Sequence, residues 1–129
     1  MHAFDYAIIR VVPDVAREEL MNVGAVLFSH AYDFLDARVA LDEARLRAFY
    51  PGVDLDIVNT HLAAFPRLCH GGPAAGPLGL LSRKERWHWL VAPRSTIIQT
   101  SLPHTGMCSD PVKMLDHLVE RMVRAPAGR

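Results

Sequence analysis

Arg83, Lys84, Arg86 and Arg94 surround Trp87, His88 and Trp89. Guanidinium groups clamp phosphate in two-pronged fashion, and exposed indoles stack on bases. This is therefore the best anion or nucleotide site in the chain, unless the indoles are core and the cations only solvated. Ser95 follows directly, and His104, Thr105 and Gly106 come shortly after. His104 is the natural proton donor or acceptor near neutral pH. Asp14, Arg17, Glu18, Glu19 and Asn22 form a second polar group, which a capped turn with an Arg–Glu pair explains equally well. A Ser95–His104–Asp110 triad can be written down, but no strand-to-helix nucleophile elbow supports it. His61, Cys69, His70 and Cys108 are competent to bind metal. They lack paired Cys-x-x-Cys or His-x-x-x-His spacing, so no metal is expected. No Walker-type loop or dinucleotide fingerprint is present, and no cofactor is expected.

The elements that must position these groups follow from periodicity. Phe4 to Val12 is predicted as a strand buried on both sides, with Phe4, Tyr6 and Ile8 facing one way and Ala7, Ile9 and Val11 the other. Pro13 stops it, and Asp14 caps a short turn. A second strand is expected from about Leu20 to Phe28, with a bulky group or backbone lying against Gly24. Asp33 to Val39 reads as a third, half in water. Asp42 caps a helical turn carrying Leu46, Phe49 and Tyr50. A longer helix starts at Asp54 and buries Leu55, Val58, Leu62, Phe65 and Cys69, with a kink or early end at Pro66. Residues 71–79 hold four Gly and two Pro and read as a surface loop. Ser82 and Glu85 have capping-box spacing for a short helix, although Trp87 to Val91 also suits a strand. Thr96 to Thr100 is predicted as a strand, and His104 to Asp110 as a turn into a final helix. That helix has Asp110 at its cap and points Leu115, Leu118, Val119 and Met122 inward. The order implies an α+β fold, an antiparallel or mixed sheet of about four to five strands packed by three helices. One domain over residues 1–124 and a short disordered tail at 125–129 are expected.

The chain has 129 residues, half of them hydrophobic, with 14 basic and 14 acidic side chains. Such a domain buries enough surface to need no staple, consistent with only 2 Cys. The neutral total hides an asymmetry. Residues 1–60 carry 5 Arg against 10 Asp and Glu, and residues 61–129 carry 9 Lys and Arg against 4 Asp and Glu. The zero net charge argues against a strongly cationic nucleic-acid binder, leaving single-stranded nucleic acid at Trp87 and Trp89 as a minor reading. No apolar run suits a membrane helix and the N-terminus lacks a signal peptide, so a cytoplasmic location is expected.

Three strings together resemble a bacterial family, the domain of unknown function 3037. They are Tyr6 to Asp14 (YAIIRVVPD), Asn22 to Leu27 (NVGAVL), and Trp87 to Ser95 (WHWLVAPRS) followed by His104-Thr105-Gly106. The resemblance spans nearly the whole chain and carries over Arg10, Pro13, Asp14, Asn22, Gly24, Arg94, Ser95, His104, Thr105 and Gly106. Its members are often encoded beside HipA-like kinases, which implies an accessory role with such a kinase as partner and assigns no activity. Where the family commonly has Gly after the Arg, this chain has Glu18 after Arg17, a residue that disfavours an unusual backbone. The expected function is a non-enzymatic partner-binding module. The alternative is a small enzyme or sensor for a phosphorylated or nucleotide ligand, which needs Arg10, Arg94 and His104 to converge.

Overall fold

The alternation in the first strand gives it two apolar faces, and the chain covers both. In the computed structural model, which describes residues 1–126, β1 (His2–Val11) is the centre of a five-stranded sheet. It pairs antiparallel with β2 (Met21–Ser29), which pairs with β3 (Phe34–Val39). On its other edge lie β4 (Ile98–Thr100) and β5 (His104–Cys108), end to end. Every pairing is antiparallel. Ser101 splices the two short strands: its N–H donates to the Ile8 carbonyl, and its hydroxyl accepts from the Ile8 N–H, both at 2.9 Å.

Four α-helices pack on this sheet, one more than expected: α1 (Glu43–Phe49), α2 (Leu55–His70), α3 (Arg83–Leu90) and α4 (Pro111–Met122). Ala7, Ile9 and Val11 face Val58, Leu62, Phe65 and Trp87 in one apolar cluster. Phe4 and Ile8 face Leu115, Leu118 and Val119 of α4 in the other. α2 follows the expected stripe and continues through Pro66 to His70 without ending early. Ser82 and Glu85 close a reciprocal capping box, which settles 83–90 as helix. Met122 is exposed on α4, and Val123 takes the buried place.

Gly24 behaves as its position predicts, since a Cβ there would lie 2.5 Å from the Arg38 carbonyl oxygen. A bulge beside it shifts the register, so Arg10 pairs with Asn22 rather than with Val23. His104 to Cys108, expected as a turn, is instead β5. The last three residues of the expected tail, 127–129, lie outside the described residues.

Candidate functional site

Arg86 fixes the end of α2, which forms one wall of the candidate cleft. Its side chain is buried, with Nη1 donating to the Leu68 and Cys69 carbonyls at 2.8 and 2.6 Å and Nε to the Leu81 carbonyl at 3.1 Å. The guanidinium thus caps the end of α2, where carbonyls lack helical partners. Gly71 is required beside it: its φ is +74°, and a Cβ would sit 2.7 Å from Arg86 Cζ. The sequence reading offered Arg86 to an anion, but these backbone carbonyls occupy it. Beyond Gly71 the chain makes two 3-10 turns, Pro73–Ala75 and Pro77–Leu80, clasped by the Gly72 N–H on the Gly79 carbonyl at 2.8 Å.

Between α2, this loop, α3 and β4 lies a cavity of about 220 Å³. Its apolar walls are Phe65 and Leu68 of α2, Leu78 of the loop, Trp89 and Leu90 of α3, and Ile98 of β4. The polar lining is His61, Arg67, Arg94 and Thr96, and among the described residues no Asp or Glu joins them. Arg94 lies over the Trp89 ring, its Cζ 4.5 Å from the centroid, a cation–π contact. Its Nε donates to the Ala92 carbonyl at 3.3 Å and Nη2 to that of Trp89. Burial lowers its pKa, yet a guanidinium remains charged throughout the physiological range.

The other candidates lie elsewhere. Ser95 is exposed beside Arg94, at the end of the sheet where the Val12 N–H bonds the Ile97 carbonyl. Asp14 follows β1 there, its carboxylate accepting from the Ala16 N–H at 3.1 Å as the cap of a 3-10 turn. Arg10, Asn22 and Gln99 are register partners across three strands. Asn22 donates to the Met122 carbonyl at 3.1 Å. Arg10 Nε is buried with no hydrogen-bond partner among the described residues. His104 is exposed, its ring 5.3 Å from that of Tyr6, and the Thr105 hydroxyl donates to Asp5 at 2.8 Å.

Tyr6, the register partner of His104, packs with the α4 cluster, whereas Arg94 opens into the cleft on the α2 side. The sheet separates His104 from Arg94, so the convergence that the enzyme or sensor reading needs is not formed. Asp110, written into the paper triad, instead caps α4 by accepting from the Val112 and Lys113 N–H groups. Trp87 is 3% exposed and stacks on Phe28 at 5.8 Å, leaving only Trp89 available to a base. Cys69 and Cys108 are buried in different clusters.

Residues 6–123 match the family described as Protein of unknown function (DUF3037). The chain belongs to the DUF3037 family. No curated protein and no solved structure matches it. Of the strings that carry the resemblance, Trp87 to Ser95 supplies Trp89, Leu90 and Arg94 to the cleft, Asn22 to Leu27 lies in the bulged strand, and His104 to Gly106 lie in the edge strand. Glu18 adopts a left-handed backbone, with φ at 58°. Arg67 and Thr96 were missed as site residues, and His61 was considered only for metal. The available signal was cations bordering the apolar stripe of α2. Among the described residues, no helix is long and apolar enough to cross a membrane.

Proposed function

We propose that this chain is a non-enzymatic partner-binding module of the bacterial cytoplasm, accessory to a larger enzyme, and that it docks through the α2–α3 cleft. A HipA-like kinase is the first partner to test. The observation that carries the reading is the cleft itself, apolar within and bordered by Arg67 and Arg94 with no carboxylate among the described lining residues. Separation of His104 from Arg94 by the sheet removes the arrangement on which the enzyme or sensor reading relied. Size supports it as well: sites for drug-sized ligands run from roughly 300 to 1,000 Å³, larger than this cavity.

Co-expression with a HipA-like kinase encoded beside it tests the reading. The expected result is a complex that co-elutes with the wild-type chain and is lost with Ala64→Trp, which fills the mouth from the exposed face of α2. Arg121→Ala, on the opposite face, should leave the complex intact. A complex indifferent to Ala64→Trp contradicts the docking site, and absence of any complex contradicts the kinase as partner.

A further inference from the structure

We infer that the cleft receives one bulky apolar side chain from a partner segment that carries carboxylates on both sides of it. This rests on the docking reading above and adds the chemistry of the occupant. The volume sets the anchor. An engineered apolar cavity of about 150 Å³ holds benzene, so about 220 Å³ takes one aromatic ring or branched aliphatic group with little to spare. The walls agree, because Phe65, Leu68, Leu78 and Ile98 offer such a group no hydrogen-bond partner from their side chains.

The rim sets the flanks. Arg67 stands on α2. Arg94 stands on a different wall, in the loop between α3 and β4. Among the described residues, neither arginine is in an ion pair, and Arg94 Nη1 has no hydrogen-bond partner. Two arginines on different walls match two carboxylates more completely than one. A peptide crossing the mouth, with acidic residues before and after its anchor, meets both. Trp89 is 44% exposed and gives such a segment an apolar shoulder outside the cavity. Charge complementarity of this kind raises association rate and selects partners more than it adds affinity.

Isothermal titration calorimetry on the full chain tests the inference with a short synthetic peptide holding one central Phe flanked by Asp and Glu. The expected result is saturable binding that weakens at least about tenfold when the Phe becomes Ala or when the acidic residues become Lys. Raising the salt should weaken it too. Arg67→Glu, an exposed change on α2, should weaken binding at least about fivefold, and Arg121→Ala should not. Equal binding of the Lys peptide overturns the charge assignment. Phenylpropanoate binding as tightly as the peptide overturns the segment in favour of a small carboxylate. If no peptide binds while Ala64→Trp still abolishes the kinase complex, the occupant chemistry is overturned and the docking site stands.

Discussion

The Arg86 guanidinium donates to three backbone carbonyls, and all three bonds vanish in Arg86→Met. Hydrogen bonds to charged groups contribute about 1.5–3 kcal/mol each, and buried carbonyls left unpaired add to the loss. Urea denaturation should therefore show Arg86→Met destabilised by at least about 3 kcal/mol, with Arg86→Lys in between because it keeps charge but loses the fork. Glu18 argues in the opposite direction. It holds a left-handed backbone that costs a non-glycine residue about 1–2 kcal/mol, partly offset by the entropy a glycine would lose on folding. Glu18→Gly should raise stability by about 0.5–1 kcal/mol, and a variant less stable than wild type contradicts that reading. At Cys69 burial pushes the thiol pKa up to about 12. The folded state therefore holds its proton more tightly than the unfolded state. This stability is fully present below about pH 9 and is lost as the pH rises towards 12. At pH 8 Cys69 should react with a disulfide reagent far more slowly in the native chain than in urea.

At the scale of elements, Ser101 lets β4 and β5 share one edge of β1. Ser101→Ala removes the acceptor of the Ile8 N–H and should cost about 1–3 kcal/mol, read by urea denaturation. β5 was not legible because His104, Gly106 and Met107 carry little strand propensity. The strand exists because β1 offers an unpaired edge, and because Gly106 leaves room for the Phe4 ring, which a Cβ would approach to 2.7 Å. Where one periodicity ruled, as in β1 and α2, the sequence was sufficient. The string from Trp87 to Val91 suited two structures, and the capping box at Ser82 decided between them. Arg94 could be picked out as a site residue, but its cavity could not. The walls run from His61 to Ile98 and meet only after the loop folds around Arg86.

For the whole molecule, the question is whether the acidic first half neutralises the basic second half. Two ion pairs among the described residues join the halves, but only Arg83–Asp33 at 3.6 Å sets a cation of the second half against an anion of the first, since Arg38–Asp116 at 3.4 Å runs the other way. Both involve well-exposed side chains, which makes each worth about 0–1 kcal/mol. Arg67 and Arg94 take no part in these ion pairs, so the neutral total coexists with two cations at the cleft that no carboxylate among the described residues pairs. Added salt should therefore change the thermal midpoint of the isolated chain little while weakening its complex. Hydrogen–deuterium exchange on that complex reads the docking face directly. The account predicts new protection in residues 61–68 of α2 and 87–96 around Arg94, with α4 and β5 unchanged. Protection confined to α4 and β5, with the cleft segments exchanging as in the free chain, would contradict it.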